Sequence, residues 1–207
     1  MINSFSPEPA KAPQEYNSVI LAFEFVSDDQ ELAEVFSPLT TEDLYDLDRL
    51  NKVDFGFMLM YGLFLISVVF GLRKSLNQDW LKYLSIVIVL IVAADLLENL
   101  QLLHLTEAYR TGITNNQDVI DILAVSTWTK WVLLAITLAC IGYALIIAHR
   151  YKWAGYALFL PLIFGTSAIA LKTSMIEDTF GTSIFLCFFI LWVLSLTYRD
   201  PSGSTTT

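Results

Sequence analysis

WLKYLSIVIVLIVAADLLENLQLLHL, residues 80–105, is long and apolar enough to cross a bilayer, yet it carries Asp95, Glu98 and Asn99. These three stand at i, i+3 and i+4, so they project from one face of a helix. An ionised side chain in hydrocarbon costs about 2.5–3.5 kcal/mol even on the lenient insertion scale. A partner charge, a water-filled cavity or protonation must offset that cost. Which of the three applies bears directly on what the chain is for.

The remainder of the chain has the same character. It has 207 residues, of which 55% are hydrophobic, and a mean hydropathy of +0.57. A soluble domain of this size is not so apolar, so the composition predicts an all-α, polytopic membrane bundle. Four further spans fall at about 53–72, 127–149, 153–173 and 180–198, which makes five with 80–105. Each supplies roughly 19 or more residues, enough for a ~30 Å hydrocarbon core. Trp80, Tyr83, Trp128, Trp131, Tyr151, Trp153 and Tyr198 gather near the span ends as an interfacial belt. Pro161, flanked by Gly155 and Gly165, predicts either a kink in the fourth span or the close approach of a neighbouring helix.

Outside the spans, residues 1–16 are polar and proline-bearing and read as a disordered lead, and 199–207 as a disordered tail. Residues 17–52 form an acidic region of short interfacial or capping helices, leaving 53–198 as the bundle. The apolar stretch Val19–Val26 is interrupted by Glu24 and is too short to span. It suits a short strand, a re-entrant piece or an interfacial helix. Asp28 or Asp29 caps a helix through Phe36, and Thr40 or Thr41 another carrying Leu44, Leu47 and Leu50 as an apolar stripe. The long connection 106–125 has room for a short surface helix from Asp118.

Charge excludes some functions and orients the chain. A net charge of −9 argues against a nucleic-acid partner. Arg73, Lys74, Arg150 and Lys152 lie tight against span ends on the side opposite the N-terminus. They predict that this side is cytoplasmic in a cell (inner) membrane, with the N-terminus outside and the C-terminus inside. Lys11, Arg49, Lys52, Arg110, Lys130 and Lys172 on the N-terminal side weaken that asymmetry. The first residues lack the basic, apolar, then small-residue order of a cleavable signal peptide. Cys140 and Cys187 lack the spacing of a zinc site or disulfide framework and read as packing residues.

The unusual polar residues share one leaflet. Asp54 and Tyr61 lie on one face of the first span, Asp95, Glu98 and Asn99 in the second, Lys130 and Trp131 at the start of the third, and Lys172 and Glu177 where the fourth returns. We expect one polar chamber near the N-terminal side, with Lys130 and Lys172 neutralising Asp95 and Glu98. A plainer reading stands beside it. Lys130 and Lys172 snorkel, Asp54 and Glu177 sit in water, and Asp95 and Glu98 form a polar lock with Asn99, Tyr61 and a lysine. Interhelical hydrogen bonds average only about 0.6 kcal/mol, which is little against the insertion cost. His104 and His149 are at opposite ends of their spans, so no histidine metal centre is expected. Nearby lysines disfavour a carboxylate site for Ca²⁺, and no cofactor is implied.

The strings DFGFMLMYGLFL (54–65), DLLENLQLL (95–103), TKW (129–131) and LAFEF (21–25) resemble those of uncharacterised small polytopic bacterial membrane proteins with DFxFMxxY, DxxEN and KW motifs. The resemblance covers most of the chain and marks Asp54, Tyr61, Asp95, Glu98, Asn99, Lys130 and Trp131 as shared positions. It implies no activity. Signatures such as HExxH or GxSxG are absent. The residues therefore point to a pocket that binds or passes a small polar ligand, a proton or a lipid headgroup. The bilayer is its first partner, and oligomerisation or a larger membrane complex is expected. The alternatives are a lipid-modifying enzyme using the carboxylate pair as acid and base, and a non-catalytic subunit docking through the acidic N-terminal region.

Overall fold

A computed structural model describes the backbone of residues 19–171 and 174–197. The expected lead 1–16, Tyr198, the tail 199–207 and Lys172 lie outside the described residues. Among those described the chain is all-helical, and five helices are long and apolar enough to cross a membrane.

Three helices build the N-terminal side. The Val19–Val26 stretch resolves as a helix, α1 (Val19–Glu24), and α2 runs Asp29–Phe36. Asp28 caps α2, its side chain accepting from the Glu31 amide at 2.8 Å. Then α3 runs unbroken over Thr41–Leu76, opened by a capping box in which Thr40 and Asp43 bond each other's backbone amides. The expected break near residue 52 is absent. The change there is in composition, not in backbone, because no glycine or proline interrupts Leu50–Phe55. At about 54 Å, α3 is far longer than a bilayer core. Its polar extension is covered by α1 and α2 through a cluster that includes Phe23, Phe36, Leu44 and Leu47.

A 3₁₀ turn, Asp79–Tyr83, leads into α4 (Leu84–Arg110). Next, α5 runs over Gln117–Ile147, so the expected surface helix from Asp118 is fused to the third span. Its first residues have a place to dock: the Asn116 amide donates to the Asp29 carboxylate at 3.1 Å, and Ile120 and Leu123 enter the cluster under α1 and α2. The fourth span is two pieces, α6 (Lys152–Ala157) and α7 (Leu160–Leu171), broken just before Pro161 as expected. The last helix, α8 (Ser174–Thr197), starts about two turns earlier than residue 180.

The packing places α5 at the centre. Its spanning window is 61% buried, against 28–39% for the other four. It contacts α4 on one side and α6 and α7 on the other; α3 packs on α4, and α8 chiefly on α7. Glycines set the close approaches. A Cβ on Gly142 would lie 2.5 Å from the Gly155 carbonyl, joining α5 to α6, and one on Gly62 would lie 2.7 Å from Val92. By contrast α3 and α8 meet through side chains, Phe188 packing against Tyr61 (5.9 Å) and Phe64 (6.3 Å).

Candidate functional site

The central position of α5 puts Lys130 where α1 and α4 converge on it. Its ammonium Nζ lies 2.5 Å from Glu98 Oε1, 3.4 Å from Asp95 Oδ1 and 3.6 Å from Glu24 Oε2. Lys130 and Trp131 are each 7% exposed, Asp95 3% and Glu98 1%. Asp95 and Glu98 face the same way because they are one turn apart on α4. Tyr61, from α3, donates its hydroxyl to Asp95 Oδ2 at 2.6 Å. One turn further along α4, Asn99 donates to Asp54 Oδ2 at 2.7 Å. Asp54 and Tyr61 are seven residues apart on α3 and reach the same face of α4. Counted from the opposite helix ends, Asp95 is about 16 Å from Leu84, Tyr61 about 22 Å from Leu76 and Lys130 about 25 Å from Ile147.

These groups surround a hollow of about 600 Å³ between α3, α4, α5 and α8. Its inner wall carries Glu24, Asp54, Asp95 and Lys130, and its outer wall Phe57, Met60, Phe185, Phe188 and Trp192. Met60 is 71% exposed and Phe185 62%, so the mouth opens sideways between α3 and α8. The hollow is charged within and apolar at its rim.

Of the expected residues, Asp54, Tyr61, Asp95, Glu98, Asn99, Lys130 and Trp131 are brought together. The snorkelling reading of Lys130 is overturned, since its ammonium points into the cluster and not outward. Trp131 belongs to the wall rather than the interfacial belt, and Trp128 packs against Phe25 beneath the cap at 5.3 Å. Glu177 is buried near the start of α8 but lies outside the residues that line the hollow. The polar-lock bonds exist and coexist with the cavity.

Glu24 is the residue that sequence reasoning missed. The short helix α1 lays it against Lys130, which no local rule foretells. The available signal was a carboxylate interrupting an otherwise apolar run. Burial lifts its carboxyl above the usual carboxylate range, while the Lys130 ammonium pulls it back down. The Trp131 indole N–H lies near Glu24 without the geometry of a hydrogen bond and is left without a partner. A second buried polar group was also missed, at the cap. Thr106 donates to Asp48, and Arg110 pairs with Asp48 at 2.7 Å and Glu107 at 2.6 Å, tying α3 to α4. No protein-family model, curated protein or solved structure matches the chain.

Proposed function

We propose that this is a multi-pass cell-membrane protein whose intramembrane pocket binds the headgroup of a lipid or other amphiphile that enters sideways between α3 and α8. One observation carries the reading: the charged residues form the inner wall of a hollow whose mouth is aromatic and faces outward along the spans. A purely structural lock would close around its charges, because a void beside them forfeits packing. A lipid-modifying enzyme draws less support. Asp95 has one oxygen held by Tyr61 and the other facing Lys130, and Glu98 sits behind the lining, bonded to the same ammonium. The N-terminal cap lies outside the cytoplasm in this proposal, because Arg73, Lys74, Arg150 and Lys152 crowd the opposite short loops.

The test is native mass spectrometry of the protein released from lipid nanodiscs. Wild-type protein should retain about one amphiphile per chain. The variant Glu24→Gln/Asp54→Asn should lose it, and the distant control Glu42→Gln should keep it. Equal retention in all three, or none in any, would contradict the proposal.

A further inference from the structure

Lys130 is already fully engaged. Three carboxylates, from Glu24, Asp95 and Glu98, lie within 2.5–3.6 Å of its ammonium. Among the described residues it is the one cation in the lining of the hollow, where Glu24, Asp54 and Asp95 supply the opposite charge. An anionic head would have to break the Lys130–Glu98 contact and then face the remaining carboxylates. A positively charged head meets Asp54 and Glu24 directly. Ring faces also favour a cation over neutral or anionic groups, and Tyr61, Phe188 and Trp192 line the same hollow, the Trp131 ring being already taken by Lys130 at 4.8 Å.

A separate feature marks the wall as incomplete. The indole nitrogen of Trp131 is a buried donor without a hydrogen-bond partner, and Trp131 lines the hollow. Glu24 Oε2, close to the indole, is likewise buried without a hydrogen-bond partner, so a guest that carries a charged donor and an oxygen beside it would complete both atoms.

The hydrocarbon part also has a path. A second hollow, about 340 Å³, lies further down the same pair of helices, lined by Phe64, Ser67, Gly71, Leu191 and Ser195 among others. Phe64 lines both hollows. The two serines do not make this wall polar, because Ser67 donates to the Leu63 carbonyl and Ser195 to that of Trp192. From Tyr61 to Leu72 the track follows α3 for about 16 Å.

Building on the pocket proposed above, we infer that the occupant is a cationic amphiphile: one hydrocarbon chain with a single positively charged head that also bears an oxygen. Glu24 and Asp54 hold the charge, Trp131 donates to the oxygen, and the chain lies in the groove between α3 and α8. Burial of the chain discriminates little, because bilayer and groove are both apolar. Selectivity therefore resides in the head.

The experiment uses the full chain in a non-ionic detergent, with binding measured by calorimetry for three dodecyl probes. They are N-dodecylethanolamine (cationic), dodecylphosphocholine (zwitterionic) and dodecanoate (anionic). The cationic probe should bind about tenfold or more tighter than either other, and Asp54→Asn should remove most of that preference. Gly71→Trp fills the lower groove at a position where an added Cβ meets nothing within 4 Å. It should weaken the dodecyl amine and spare N-hexylethanolamine. Equal or tighter binding of the zwitterionic or anionic probe overturns the cationic assignment while leaving the pocket standing. Saturable binding of none of the three sinks both. Equal weakening of the long and short amines by Gly71→Trp overturns the chain path.

Discussion

Replacing Lys130 by methionine keeps an unbranched side chain, one atom shorter, and deletes the charge that Glu24, Asp95 and Glu98 share. Removing one partner of a buried ion pair typically costs 3–5 kcal/mol, because the other charge stays buried without compensation. A stranded carboxylate has an escape, which is to bind a proton. Placing a proton on an ordinary glutamate costs about 3.7 kcal/mol at pH 7 and about 1 kcal/mol at pH 5. One carboxyl is nearly enough to relieve the site, since Glu98, at 2.5 Å, is much closer to Lys130 than Asp95 at 3.4 Å or Glu24 at 3.6 Å. The expected loss for Lys130→Met is therefore about 3–4 kcal/mol at pH 7, shrinking to about 1 kcal/mol at pH 5. Against a total stability of about 5–15 kcal/mol this is easily measured. The assay is reversible denaturant unfolding in detergent at both pH values, for wild type, Lys130→Met and Lys130→Met/Glu98→Gln. The double variant should recover at least about 1 kcal/mol at pH 7 and lose most of the pH dependence. A cost below about 1 kcal/mol at pH 7, or strict additivity of the two changes, would refute the buried-cation reasoning.

Other outcomes follow from individual contacts. Tyr61→Phe removes the hydroxyl that Asp95 accepts from and should cost about 0.6–1.7 kcal/mol in the same unfolding assay. Gly142→Ala places a methyl 2.5 Å from the Gly155 carbonyl, so melting should fall by an amount equivalent to about 1–3 kcal/mol. Gly56→Ala, where nothing lies within 4 Å, should instead stabilise by about 0.5–1 kcal/mol. The Glu24 carboxyl, raised by burial, holds its proton more tightly folded than unfolded. Its contribution to stability is thus present at low pH and lost as pH rises through the raised value. The stability difference between wild type and Glu24→Gln should therefore fall as pH rises above about 4.3, checked by melting curves from pH 4 to 8.

The five spans were legible because apolar length is a local property, and so was the break at Pro161. Their ends were less so. The chain turns polar near Leu50 and Val125, and a hydropathy reading takes that change for an end. The backbone continues because Leu44, Leu47, Ile120 and Leu123 bury themselves under α1 and α2. That burial is a long-range event. In the site, the pairing of Asp95 with Glu98 and of Asp54 with Tyr61 came from helical spacing alone. That Lys130 would be the shared partner of Asp95 and Glu98 followed from its charge and depth. Glu24 did not, because its place depends on how a six-residue helix docks across the ends of α4 and α5. The lateral mouth was also invisible, since it depends on the spacing of α3 and α8, which are far apart in sequence and meet through Phe188.

The most direct measurement is a density map of the protein in a lipid nanodisc. Elongated density should run from Glu24 and Asp54 past Phe64 towards Gly71 and Ser195, with the Phe188 ring moved off Tyr61 to admit it and Lys130 still bonded to Glu98. A map with α8 packed flush against α3, the hollow closed and Lys130 turned away from the carboxylates, would contradict it.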